Sequence, residues 1–328
     1  MKIRAERLSD IPIIRPNMDE RMGGNINGPS LIRVPDWVEQ PLGRYYLYFA
    51  DHKGLYIRMA FADSLTGPWT IYSPGVLDVS ESLFESVDPP EPPEADRPYW
   101  AKDLKGGYLY AHVASPDVHV DHETRQIRMY YHGLLWNGDQ QTRLANSSDG
   151  LSFLPEQPLL GDPYYRVFQY QGFFYAVTFA GRLFRSRNWE GPFEQGPDVL
   201  ASLAEDGMLL RHAAVHLDGD CLYVAFSRIG ECPERISCGI VQLSPDWNDW
   251  LVTGSHVLLE PDLDWEGAEL PLAISEIGAA SQPLRELRDP GFYAEDGRLF
   301  LLYCGAAEAG GIGLAEVLID STGYEASP

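Results

Sequence analysis

The chain has 328 residues, 45% of them hydrophobic and 12% aromatic, enough to bury a large core. Its 48 Asp+Glu against 25 Lys+Arg leave a net charge of −23, which repels nucleic acid and anionic membrane surfaces. The 31 Gly and 25 Pro are scattered in short clusters, which excludes a collagen-like or low-complexity chain.

The only lysines are Lys2, Lys53, Lys102 and Lys105. An acidic, lysine-poor surface suits a saline environment, and a GC-rich genome produces the same bias. The first residues, MKIRAERLSDIPIIRP, contain no apolar signal core, and no apolar run approaches the ~18 residues of a membrane span. The expectation is a cytoplasmic protein, or one whose leader has been removed. Oligomeric state is not legible.

Helical periodicity is nearly absent. The exception, DVLASLAEDGMLL (198–210), reads as a short helix or a loop insert. Elsewhere short aromatic and β-branched runs end in Gly, Pro, Asp and Asn, the pattern of short strands. One unit recurs: an apolar strand, an alternating strand, then a small-polar turn followed by Pro or Trp. It appears at 43–72, 125–156, 172–196, 220–250 and 297–319. In the first copy Gly67-Pro68 makes the turn and Trp69 packs between units; Trp189 to Pro192 repeat this.

Five copies of roughly 65 residues fit four-stranded blades, so the expected fold is all-β, a five-bladed β-propeller in one domain over residues 1–328. Each copy follows a candidate innermost strand: 28–34, 115–121, 165–170, 212–218 and 289–296. The first residues of such strands converge on one mouth of the central channel. Asn25, Asn27, Asp117, Arg166, His212, Arg288 and Asp289 are therefore the residues of interest.

Cys221, Cys232, Cys238 and Cys304 include no CxxC pair, so zinc is not expected; Cys232 and Cys238 could face each other across a hairpin, and reduced thiols are the simpler reading. In ASPDVHVD (114–121), Asp117, His119 and Asp121 share one side of a strand. Asp117 lies at the mouth, and His119 and Asp121 read as packed or turn residues.

GRYYLYFA with ADSLTGPW, SPDVHV with IRMYYHG, and RDPGFYAEDGRLFLLYCG together resemble the five-bladed propeller glycosidases, family 43 glycoside hydrolases above all. The resemblance covers nearly the whole chain and implies three carboxylates. They are a base aspartate opening blade I, a tuning aspartate opening blade II and an acid glutamate opening blade III. Asp117 falls on the second position. On the first stands Gly28-Pro29-Ser30, with Asn25 and Asn27 nearby; on the third, Tyr164-Tyr165-Arg166-Val167.

Inverting hydrolysis needs two carboxyl groups about 6.5–9.5 Å apart, and Asp117 alone cannot fill both roles. Asp289 could take the base role and His212 the acid role, since histidine as a residue type titrates near neutrality. A related family that cleaves anhydro-galactose from agar oligosaccharides is similar in this respect, with a histidine acid. Glu269, Glu276 and Glu286 are spare acids. Arg166 and Arg288 could bind a carboxylate, sulfate or phosphate. Trp100, Trp136, Tyr164 and Tyr165 could stack on sugar rings.

The expected function is an exo-acting glycoside hydrolase with a non-standard acid/base set, acting on an oligosaccharide or small glycoside. The alternatives are a sugar-binding propeller without catalysis and an inverting glycoside phosphorylase. No cofactor is required; a structural Ca2+ or Na+ in the central channel near His212 is compatible with the architecture.

Overall fold

The computed structural model describes residues 2–98, 108–204 and 207–320. Five antiparallel sheets form the blades of a β-propeller. Blade I holds β2 (Asn27–Arg33), β3 (Tyr45–Ala50) and β4 (Tyr56–Ala62), with β5 (Thr70–Ile71) and β6 (Leu77–Asp78) both on β4. Blade II holds β7 (Val113–Asp121), β8 (Gln126–Leu134), β9 (Gln140–Ser147) and β10 (Leu154–Pro155). Blade III holds β11 (Arg166–Tyr170), β12 (Phe173–Val177), β13 (Leu183–Ser186) and β14 (Glu194–Gln195). Blade IV holds β15 (Leu209–Asp218), β16 (Cys221–Ile229), β17 (Ile236–Gln242) and β18 (Leu251–Leu259). Blade V holds β19 (Arg288–Glu295), β20 (Arg298–Gly305), β21 (Gly311–Asp320) and, from the other end of the chain, β1 (Lys2–Arg7).

The recurring apolar strand is explained by burial on both faces. In β3, Tyr46 and Tyr48 point into a cluster shared with Val113, Ile127 and Met129 of blade II. Their neighbours Tyr45, Leu47 and Phe49 point the other way, onto Phe300, Leu302 and Leu314 of blade V. Strand alternation thus feeds two cores at once, and a continuous apolar run results. Among the described residues there is one such cluster between each pair of neighbouring blades. Trp69 is buried between blades I and V, as expected from its turn.

Within 198–210 the described residues form a 3-10 turn, Val199–Leu203, and the first two residues of β15; Leu200 and Leu203 seal the core between blades III and IV. All four cysteines are free thiols; Cys238 is buried and Cys232 exposed. Among the described residues no helix is long and apolar enough to cross a membrane.

The N-terminal strand completes blade V by pairing Lys2 through Arg7 with Asp320 through Ala315. Ile3 is its buried residue, set in the cluster between blades IV and V. Ile3→Ala is expected to cost about 2–5 kcal/mol in denaturant unfolding, because it opens a cavity at the closure of the ring. Arg4→Ala, on the exposed side of the same strand, is expected to stay within about 0.5 kcal/mol.

Candidate functional site

Four of the five innermost strands carry an irregularity at the same end. The register slips between Asn27 and Ser30 in β2, Ala114 and Asp117 in β7, Leu210 and Ala213 in β15, and Arg288 and Gly291 in β19. Gly28, Ser115 and Asp289 sit there with left-handed φ of 59°, 49° and 51°. Bulges of this kind re-aim side chains. The fifth strand, β11, has no slip but is entered through Tyr164 at φ 66°. Each second strand runs back toward the same end, so the loops after β3, β8, β12 and β20 meet the bulges there.

A cavity of about 330 Å³ opens at this mouth. His52 and Lys53 reach it from the loop after β3, Asp139 from the loop after β8 and Phe179 from the loop after β12. Arg211 and His212 come from the bulge of β15, and Tyr108, Tyr110, Asp162 and Tyr164 from the segments entering blades II and III. The Tyr164 ring lies between His132 and His212, at 4.3 and 4.4 Å centroid separation.

His212 is held from below: its Nδ1 contacts Oδ1 of Asp289, which is fully buried. The carboxylate sits on the Nδ1 side of the ring, in close contact but without hydrogen-bond geometry, and the opposite, Nε2 edge is the one left for the cavity. His52 is held in the same way. Its Nδ1 donates to the two oxygens of Glu308 at 3.3 and 3.4 Å. Burial alone would raise the Glu308 carboxyl. His52, Arg288 at 3.4 Å and Asn25 at 2.9 Å outweigh that and hold it well below the usual carboxylate range.

Arg288 does not face the cavity. It is 1% exposed and bonds Glu286 (2.9 Å), Glu234 (3.1 Å) and Glu308. Burial would lower its pKa; the three glutamates and Asp289 raise it instead. Arg211 lines the cavity, but its guanidinium is engaged by Glu234 at 2.9 Å and Ser275 Oγ at 2.7 Å. Asp162 lines the wall near blade III, paired with Arg182 at 2.7 Å, and burial raises its pKa.

The structure therefore divides the three residues expected to share one site. His212 and Asp289 are in contact at the mouth. Asp117 lies beyond the bulge of its strand and lines a second cavity of about 240 Å³, inside the channel. It accepts from His119 Nε2 at 2.7 Å and from the backbone N–H of Val167 at 2.8 Å. Burial would raise its pKa, but His119, Arg166 and Val167 lower it, so it stays ionised. His119, expected only to pack, is its partner.

Arg166 does not reach the mouth either. It ties three inner strands together through the carbonyls of Ala213, Ser115, Pro116 and Tyr165. Tyr165 is a core residue whose hydroxyl donates to the Leu160 carbonyl and whose ring belongs to the cluster between blades II and III. Asn25 spends both ends of its amide on positioning: Nδ2 on Glu308 and Oδ1 on the His52 N–H. Asn27 is buried with Oδ1 unpaired. Glu286 is buried with a raised pKa, from burial first, while Glu269 and Glu276 are exposed. Trp136 is exposed, and Trp100 lies outside the described residues.

The empty place of the blade I aspartate has a steric cause. A Cβ on Gly28 would meet Cα of Ser115 at 2.8 Å, so the backbone of blade II occupies the space a side chain would need. For a cation near His212, among the described residues no three His, Cys, Asp or Glu side chains converge as a metal cage.

No family model matches the chain. It is 33% identical over 306 residues to an uncharacterized protein of Acanthamoeba polyphaga mimivirus, covering 87% of this chain and 82% of that protein. The chain belongs to the same family as that viral protein. Among solved structures it is similar to a family-43 β-xylosidase/α-arabinofuranosidase from a compost microbial metagenome in complex with xylotriose. That match has a TM-score of 0.60 and 12% identity over 98% of this chain and 97% of that one. It is similar also to a family-43 enzyme from Xanthomonas citri (TM-score 0.60, 12% identity, 97% and 92% covered). An N-acetylgalactosamine deacetylase from F. plautii in complex with blood group B trisaccharide gives a TM-score of 0.55, with 12% identity over 95% of each chain. At these identities the likeness is one of fold: the chain has the five-bladed propeller of the family-43 glycosidases.

Buried histidines beside the cavity make a prediction about acid stability. His112 is 2% exposed and donates from Nδ1 to the Tyr110 carbonyl at 2.8 Å. Burial pushes it down to about 4, below the ~6.5 of the unfolded chain. The folded state then binds fewer protons than the unfolded state between these values. Stability is expected to fall by about 3 kcal/mol as pH drops from 6.5 to 4. Urea unfolding at stepped pH measures the slope, and His112→Gln is expected to flatten it.

Proposed function

We propose that the mouth cavity is the site of a glycoside hydrolase acting on the end of an oligosaccharide or on a small glycoside. His212, oriented by Asp289, transfers a proton there. The observation that carries this reading is the buried carboxylate on Nδ1 of a histidine that opens onto a ring-lined cavity at the mouth of this propeller. A volume of about 330 Å³ is at the small end of ligand sites, of about 300–1,000 Å³, which favours one or two sugar rings over an extended chain.

Tyr110, Tyr164 and Phe179 offer ring faces, and Gln140, Gln141 and Asp139 offer groups for hydroxyls. The solved xylotriose and blood-group trisaccharide complexes of similarly folded proteins support a sugar as the ligand. Asp117 has no proton-transfer role in this reading; it holds the channel together through Val167 and His119.

The test is product analysis on xylo-, arabino- and galacto-oligosaccharides and a panel of 4-nitrophenyl glycosides, in phosphate-free buffer. Hydrolysis is expected, with His212→Ala and Asp289→Asn each lowering kcat about 10²–10⁴-fold. Asp117→Asn is expected to stay within a few-fold of wild type. Sugar phosphate formed only when phosphate is added would replace hydrolysis by phosphorolysis. Binding without turnover would make the protein a sugar-binding module.

A further inference from the structure

The mouth holds a second imidazole–carboxylate pair built on the plan of the first. Glu308 is fully buried and follows Ala306 and Ala307 through three successive left-handed residues, at φ 50°, 53° and 77°. Non-glycine residues in that region are strained by roughly 1–3 kcal/mol each. The strain is held by named bonds: Ile26 N–H to the Glu308 carbonyl at 2.8 Å, and Ala307 N–H to the Glu286 carbonyl at 3.2 Å. Asp289 is likewise left-handed, buried and on Nδ1 of its histidine.

Both carboxylates lie close to Arg288, whose positive charge faces each of them. One is its chain neighbour, and the other accepts from its Nη1 at 3.4 Å. Asn25 clamps the second pair from both sides, through the Glu308 carboxylate and the His52 backbone. His52 and His212 both line the 330 Å³ cavity, one from blade I and one from blade IV.

We propose that His52, positioned by Glu308, is the second proton-transfer residue of the cavity and works opposite His212 across the bound glycoside. The proposal rests on the hydrolytic reading of that cavity. Hydrolysis needs one group to take a proton and one to give it. The neutral imidazole takes a proton from water as the water oxygen bonds the anomeric carbon. The imidazolium gives its proton to the leaving oxygen as the glycosidic C–O bond breaks. One water is consumed, the two histidines exchange protonation states, and solvent restores them.

Glu308, held well below the usual carboxylate range, stays ionised throughout. Each carboxylate orients its ring and stabilises the charged form, as a buried aspartate does for a general-base histidine. Charged and titratable groups facing the pairs include Lys53, Tyr110, Arg288 and His112 around His52, Arg211 and Tyr164 around His212, and His132 near both.

The experiment compares His52→Gln, His212→Gln and Glu308→Gln on 4-nitrophenyl glycosides that the wild-type chain cleaves and on the matching 2,4-dinitrophenyl glycosides. A dinitrophenolate leaves without a proton. The variant lacking the acid is therefore expected to recover on it, and the variant lacking the base is not. His52→Gln and His212→Gln are each expected to lose about 10²–10⁴-fold in kcat on the poorer leaving group and to respond oppositely to the better one. Glu308→Gln is expected to lower kcat more than it changes KM and to shift one limb of the pH profile.

Side-chain 15N spectra of the free protein read the pair without turnover. Glu308→Gln is expected to move the His52 ring nitrogens and leave those of His212 in place. Thermal melts identify any variant that fails to fold, and His52→Gln, at the cavity surface, keeps the test open if Glu308→Gln does. Wild-type turnover with His52→Gln unchanged, or with both histidine variants responding alike, would overturn the proposal alone. A wild-type chain that cleaves no glycoside overturns it together with the reading beneath it.

Discussion

Every blade of this protein is apolar on both faces, and that constraint governs the rest. A sheet buried on two sides needs a neighbour on each side, so the blades form a closed ring. Closure falls to β1, whose partner strand ends the described chain some 300 residues away in sequence. The same constraint sets the axis. Blades V, I and II approach through glycine: a Cβ on Gly291 would strike the Pro29 carbonyl at 2.4 Å, as one on Gly28 would strike Ser115. Blades II, III and IV are spaced by Arg166, whose guanidinium fills the axis between them.

Packing so close buries the groups of the mouth floor, and buried charges are stabilised by pairing. Arg288 meets Glu234, Glu286 and Glu308, and Arg211 meets Glu234. With Asp289 added, two guanidinium groups face four carboxyl groups. The imbalance favours proton uptake at the edge of the network. The group placed to accept is Glu286, whose pKa is raised by burial first and by Glu234. The bonds from Arg288 and Asn25 that hold the Glu308 carboxylate also aim the His52 imidazole it pairs with.

The fold was legible because two-sided burial writes long apolar strands such as YYLYFA and LFLLYCG, and five copies leave few architectures. β1 was not legible: in KIRAER only Ile3 is fully buried, too weak a period to announce a strand. Asp289 and His212 could be found because the innermost strands were found. Asp117 was read as a mouth residue because spacing does not reveal a bulge, and the slip between Ala114 and Asp117 carries it into the channel. Arg166 and Arg288 looked like anion ligands, yet burial commits their donors to carbonyls and glutamates. His52 and Glu308 escaped notice for a different reason. They follow second strands, in ADHKG and GAAEAG, and no glycine marks the left-handed path that aims Glu308. The usable signal was topological: in a propeller the loop after each second strand returns to the mouth.

Under the proposed hydrolytic reading, Gly28 and Tyr164 explain why histidines, rather than carboxyl groups at the openings of blades I and III, would carry the protons. No side chain fits at Gly28, and the Tyr164 ring, wedged between His132 and His212, fills the entry to blade III. A carboxyl general acid must have its pKa lifted by burial to work near neutrality. In this mouth the buried carboxylate of Glu308 is pushed the other way by His52, Arg288 and Asn25, as that of Asp117 is inside the channel by His119, Arg166 and the Val167 N–H. An imidazole needs no such lift, because its ordinary range already spans neutral pH. The ionised, paired carboxylates that disqualify themselves as acids are what a histidine needs on its Nδ1. The charge network under the mouth and the two histidines above it are therefore parts of one arrangement.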